Sequence, residues 1–195
     1  MERTATIVRK TKETEIEITL NLDGKGESKI NTGIGVLDHM LILFAKHGLF
    51  DLEVTVRGDL EVDTHHSIED TGIVLGQAIK EAAGDKKGIR RYGSCILPMD
   101  EVLLLCSLDL SGRPYLVYDA DLKAERVGTL ETEMIKEFFY AVSYSAAMNL
   151  HIKEFHGENT HHVIEAMFKS FAKALDMATT VDERIPGLLS TKGSL

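Results

Sequence analysis

The stretch from Asp63 to Asp70 reads DTHHSIED, and 96 residues later the stretch from Asn159 to Ala166 reads NTHHVIEA. Each places two adjacent histidines just ahead of a glutamate. His65 and His66 lie four and three residues before Glu69, as His161 and His162 do before Glu165. On a helix either spacing puts a histidine and the glutamate on one face. Adjacent helical residues diverge by about 100° around the axis, so each pair suits two different ions better than one. Two further residues occupy corresponding places on the preceding helix. His39, in LDHML, sits 26 residues before His65, and Glu137, in KEFF, sits 24 before His161. Imidazoles and carboxylates without a thiolate fit Mn, Fe or Zn. An octahedral ion with four protein ligands keeps open positions for a substrate, which is a catalytic arrangement. One histidine pair at a helix start is usually a cap or a surface feature. Its recurrence with the glutamate, after an equivalent helix, is what points to metal.

The elements that must carry these residues also recur. TATIVRKT and EIEITLNL alternate as strands, DGKGE is a turn, and SKINTG reads as a short third strand. GVLDHMLILFAK, from Gly35 to about Lys46, has helical apolar spacing. DLEVTVRG is a strand, and a second helix runs from about His65 to Ala83. The second half repeats the order. SCILPMD, EVLLLCSLDL and YLVYDADL read as strands, LETEMIKEFFYAVSYSAAM as a helix, LHIKEF as a strand and HHVIEAMFKSFAKALDMATT as the last helix. The turns LDGKG, residues 22–26, and LDLSG, residues 108–112, share their Leu, Asp and final Gly. The expected fold is α+β, an internal duplication of two similar halves, each a mostly antiparallel sheet with two helices on one face. The first repeat spans 1–91 and the second 92–180, with a C-terminal tail at 181–195.

Composition narrows the function. The chain has 195 residues, 44% hydrophobic and 27% charged, enough to bury a substantial core. A net charge of -9 argues against nucleic acid, which needs a basic footprint. No apolar run reaches the length of a membrane span, and the charged opening MERTATIVRK has no signal core, so a cytoplasmic location is expected. Cys95 and Cys106 sit among apolar residues, in no metal or redox spacing, and read as buried free thiols.

GVLDHML, DTHHSIED, HGENTHHVIEAMFKSFAKAL and the terminal STKG resemble the imidazoleglycerol-phosphate dehydratase family of histidine biosynthesis. RKTKETEI, LDGKG, KGIRRYG and DLSGRPY match it too, so the resemblance covers nearly the whole chain in order. It implies a hydro-lyase that converts D-erythro-imidazole-glycerol phosphate to imidazole-acetol phosphate through a metal-stabilised imidazolate, with two Mn2+ per active site. It also implies a homo-oligomer, a 24-mer with sites shared between subunits. The metal ligands it implies are His39, His65, His66, Glu69, Glu137, His161, His162 and Glu165. Some relatives carry histidine where this chain has Glu137. Glu13 is implied as the acid/base group. Arg91, Arg113, Lys169 and Lys192, with His47 and Ser190, are implied as phosphate and substrate contacts. Arginine suits bidentate phosphate contact and lysine a point charge. The tail is implied to order over the substrate. Two rival readings stand beside this one: a non-catalytic metal-binding assembly, and another metal-dependent enzyme acting on a phosphorylated substrate.

Overall fold

The computed structural model describes residues 3–195. Met1 and Glu2, which open both the charged N-terminal stretch and the first repeat, lie outside the described residues. The first half runs β1 (Thr4–Lys10), β2 (Thr14–Asn21), β3 (Ser28–Asn31), α1 (Gly35–Gly48), β4 (Asp51–Gly58) and α2 (His65–Ala83). The second runs β5 (Tyr92–Met99), β6 (Val102–Asp109), β7 (Tyr115–Asp119), β8 (Arg126–Val127), β9 (Leu130–Glu131), α3 (Glu133–Ala146), β10 (Asn149–His156) and α4 (Thr160–Thr179). Two four-stranded sheets have matching orders, β1-β2-β4-β3 and β5-β6-β10-β7. In each, two pairings are antiparallel and the last, β3 with β4 or β7 with β10, is parallel. The parallel pairs need a crossover, and α1 and α3 provide it.

Period-two patterning decides which face of each sheet is covered. Ile16, Ile18 and Leu20 of β2 point inward and are fully buried, while Glu15, Glu17 and Thr19 between them face out. Leu104, Cys106 and Leu108 repeat the pattern on β6. The helices fill the space between the two sheets. α2 packs on β1 and β2, α4 on β5 and β6, α2 against α3, and α1 against α4. The result is sheet, two layers of helix, sheet, with the core in the middle.

The two helix–helix seams are built differently. Between α1 and α4, the Phe44 and Phe171 rings stack with centroids 5.4 Å apart. Between α2 and α3, Gly72 and Gly76 let the backbones meet. A Cβ on Gly72 would lie 2.7 Å from the Phe138 carbonyl oxygen, and one on Gly76 2.7 Å from that of Val142. At the corresponding places α4 has Phe168 and Ala172.

The backbone hydrogen bonds fix how the halves correspond. Leu22 N–H donates to the Arg3 carbonyl at 3.0 Å, and Leu110 N–H to the Arg91 carbonyl at 3.1 Å. Leu22 therefore matches Leu110, not Leu108, and the likeness of LDGKG to LDLSG is two residues out of structural register. By the same shift Glu13 matches Glu101, each being the last residue of its hairpin loop. α1 and α3 correspond residue for residue, ending at Leu49 and Ala147, both left-handed with φ 57° and 52°. That puts His39 opposite Glu137, as the sequence spacing suggests.

Three expectations are corrected. The third helix starts at Glu133 rather than Leu130, because β8 and β9 form a small extra hairpin ahead of it. This hairpin has no counterpart in the first half, and Thr64 Oγ1 donates to its Glu131 at 2.6 Å. The third strand of the second half stops at Asp119. Cys106 is buried, but Cys95 is only half-buried. Among the described residues no helix is long and apolar enough to cross a membrane.

Candidate metal centre

Both histidine pairs occupy the first turn of a helix whose start is tied by a side chain. Asn159 Oδ1 accepts from the backbone N–H of His161 at 2.9 Å and of His162 at 3.5 Å. Asp63 Oδ1 accepts from that of His65 at 2.8 Å. Such N-terminal caps satisfy otherwise unpaired donors and hold the imidazoles at a fixed height on α2 and α4. The adjacent rings diverge as helical geometry requires. Their centroids are 6.1 Å apart at 67° for His65 and His66, and 6.5 Å at 83° for His161 and His162.

The α1–α4 seam brings three predicted ligands together. His39 Nε2 lies 2.9 Å and His161 Nε2 3.1 Å from Oε1 of Glu165. The ligand atoms of all three fall within 4.8 Å of one another. Lys169 Nζ donates to the other Glu165 oxygen at 2.5 Å. Burial works to raise the pKa of Glu165, but the hydrogen bonds from His39 and Lys169 and the lysine charge outweigh it and hold it at about 2. Two imidazoles and one ionised carboxylate are a donor set a divalent transition ion accepts.

The matching α2–α3 seam is more open. His65 Nε2 is 3.5 Å from Oε2 of Glu69. Glu137 is half-exposed and joins no three-residue ligand cluster among the described residues. Where the first seam offers His39 on α1, this one offers Glu137 on α3, so its candidate ligand set holds two carboxylates, which repel on approach unless a cation lies between them.

The second histidine of each pair is held from the other side of its ring. His66 Nδ1 lies 3.0 Å from Asp59, and His162 Nδ1 2.9 Å from Glu101. These carboxylates raise the pKa of both imidazoles. In both cases Nε2 is left for a ligand, and Glu13 stands 3.9 Å from Nε2 of His66. Asp59 and Glu101 are site residues the sequence reading missed. Aligning the halves in their structural register would have exposed Glu101, because it then falls opposite Glu13.

The expected phosphate contacts divide into two groups. Lys169 reaches Glu165 and lies 3.3 Å from Met99 Sδ. His47, in the last turn of α1, has its pKa lowered by burial and by the nearby Lys169 and Lys173. The other group sits at the far end of the β5–β6 hairpin. Arg91, left-handed at φ 69°, is clamped by Asp109 at 2.7 and 3.0 Å and donates through Nη1 to the Leu189 carbonyl at 2.7 Å. Arg113 is exposed beside Ser111, with its Nη1 3.4 Å from that residue's carbonyl oxygen. Ser190 and Lys192 lie in the tail, where Ser190 Oγ accepts from Lys192 N–H at 3.2 Å. β5 separates the groups, and its eight residues extend about 25 Å.

Comparison with known proteins agrees with this architecture. Residues 32–175 match the family model for imidazoleglycerol-phosphate dehydratase. The chain is 66% identical to the imidazoleglycerol-phosphate dehydratase of Lachnoclostridium phytofermentans and 62% identical to that of Acetivibrio thermocellus, over the full length of all three chains. Its fold resembles the crystal structure of the Staphylococcus aureus dehydratase, with a TM-score of 0.84 at 44% identity, covering 92% of this chain and 99% of that one. The Pyrococcus furiosus structure gives the same TM-score at 38% identity, over 97% of this chain and 100% of that one. With two histidine-bearing repeats in one α+β frame and kinship along its full length, the chain belongs to the imidazoleglycerol-phosphate dehydratase family, the hydro-lyases of histidine biosynthesis.

Proposed function

We propose that the chain dehydrates D-erythro-imidazole-glycerol phosphate to imidazole-acetol phosphate with two Mn2+ per active site. The observation that carries this is the duplicated presentation of imidazole Nε2 atoms beside Glu165 and Glu69 at two capped helix starts. His39, His161 and Glu165 would hold metal at one seam, and Glu137, His65 and Glu69 at the other, with His66 and His162 supplying outward-facing ligands. When bound, the ions supply charge stabilisation for a deprotonated imidazole ring.

The remaining tasks fall to the chain's own residues. A proton must leave C2 and a hydroxyl must leave C3 of the glycerol chain. Glu13, exposed and 3.9 Å from the edge of His66, is the group we assign to move that proton. Lys169 and His47 lie near the ligands, where they would meet the substrate's polar atoms. Arg91, Arg113, Ser190 and Lys192 are assigned to the phosphate. The length of β5, about 25 Å, separates them from Lys169 on the same chain. A substrate with a three-carbon chain does not bridge that gap. This supports sites completed by a neighbouring subunit, as in the 24-mer expected from the family resemblance, with the 181–195 tail crossing to the partner's pocket.

Turnover of imidazole-glycerol phosphate by the Mn-loaded protein, and its loss on chelation, is the expected result. A protein that binds Mn yet forms no acetol phosphate would overturn the catalytic reading. Subunit sharing has its own measurement. Two inactive variants, Glu13→Gln and Lys192→Ala, should regain turnover when dissociated and reassembled together. Mixed particles that stay inactive would place both residues in one chain's site.

A further inference from the structure

The two halves solve one problem with different residues. Each must hold the second histidine of its pair with Nε2 turned outward, and each does so with a carboxylate on Nδ1. In the first half this is Asp59, the first residue after β4. In the second half a bulge adds one residue to β10, so Gly157 matches Gly58 and the residue that matches Asp59 is Glu158, which is exposed. A Cβ on Gly58 would meet Ser67 and Thr14, and one on Gly157 the matching Val163 and Val102. The carboxylate comes instead from the β5–β6 loop as Glu101, whose Oε1 also accepts the Asn159 N–H at 2.8 Å. Its structural counterpart, Glu13, makes no such contact and lies 3.9 Å from the opposite ring nitrogen of His66.

We propose that Glu101 is a positioning residue that fixes the tautomer and orientation of His162 for metal binding. Asp59 does the same for His66, and because it does, Glu13 is free of that duty. This rests on the two-ion reading above. A histidine that binds metal through Nε2 must carry its proton on Nδ1, and a carboxylate there sets that tautomer and raises ligand basicity. Glu101 does this while pinning the start of α4 through Asn159, so one side chain sets both the height of the helix and the aim of its ring.

Glu101→Gln is a sharp test because an amide cannot serve both contacts. Glu101 accepts from the Asn159 N–H through one oxygen and from Nδ1–H through the other. Glutamine must turn its NH2 toward one of them. Mn2+ titration followed by electron paramagnetic resonance should show affinity reduced about 10- to 100-fold in Glu101→Gln and in Asp59→Asn. Glu13→Gln, its counterpart, should titrate like the parent. If Glu101→Gln binds Mn2+ as the parent does, or Glu13→Gln weakens it as much, the assignment is wrong. A parent protein that takes up no Mn2+ would instead overturn the two-ion reading. Histidine-selective 15N spectra of the metal-free parent test the tautomer without any variant. In the neutral rings, protonation of His66 and His162 on Nδ1 is expected, and neutral rings protonated on Nε2 would overturn the proposal.

Discussion

The first and second halves share strand order, helix lengths and histidine pairs, yet they differ at almost every place where chemistry is at stake. His39 is matched by Glu137, Glu13 and Glu101 match but make unlike contacts, and Asp59 holds His66 where its match, Glu158, is exposed. At the α1–α4 seam His39, His161 and Glu165 close on one another through hydrogen bonds. At the α2–α3 seam His65 and Glu69 pair at 3.5 Å, and Glu137 joins no three-residue cluster among the described residues. Duplication supplied two equal frames, and the differences assign them unequal work. One seam, with His39 from the first half and His161 and Glu165 from the second, holds its ligands together. Near the other, Glu13 stands 3.9 Å from His66 without a hydrogen bond to it, the free carboxylate that the proposed proton transfer calls for.

The sharpest way to break this comparison is Glu13→Gln. Removing a general acid/base lowers turnover by about 10²- to 10⁴-fold, and steady-state kinetics on the Mn-loaded variant should show a loss of that size. A variant with nearly full turnover would mean Glu13 is as structural as its counterpart. The two seams come next. Phe171→Ala removes a ring stacked on Phe44 and should cost about 3–5 kcal/mol of stability. Gly76→Ala forces a methyl against the Val142 carbonyl and should cost about 1–3 kcal/mol. Denaturant melts of both variants test whether one seam is filled by rings and the other by backbone contact.

A smaller effect should appear on the acid side. Folding lowers the Glu165 pKa from 4.5 to about 2. The unfolded chain therefore holds the proton more tightly. The stability this group contributes is full above pH 4.5 and is lost as pH falls towards 2. In metal-free protein, Glu165→Gln should flatten that part of the stability profile, as thermal melts across this range would show. The least effect is kinetic. Burial raises the thiol pKa of both cysteines, more for Cys106 than for Cys95. A thiol reagent should modify Cys95 first, and Cys106 only on unfolding.

The repeat, the helices and the histidine pairs were legible in the sequence because they recur with helical spacing and sit in long apolar patterns. The strands of the sheets showed by alternation. β8 and β9, two residues each, are too short to alternate. Asp59 and Glu101 were hidden because each sits in a loop and only one member of each matched carboxylate pair, Asp59 with Glu158 and Glu101 with Glu13, hydrogen-bonds a histidine. The Leu-Asp-Gly likeness of the turns was a coincidence of composition two residues out of register, and it drew attention away from the pairing of Glu13 with Glu101. Arg91 read as an open phosphate contact, and its clamp on Asp109 depends on a left-handed backbone that no spacing pattern reveals.

Gly72 and Gly76 have a consequence for ancestry. Two first halves joined together would bring two notched helices and neither Phe168 nor Phe171. Two second halves would bring those rings twice over and no notch. Neither hypothetical pair rebuilds the present interior. Since the duplication, the two copies have become partners of unlike shape, as separate as the chains of a heterodimer though joined in one polypeptide, and selection now acts on the fit between them.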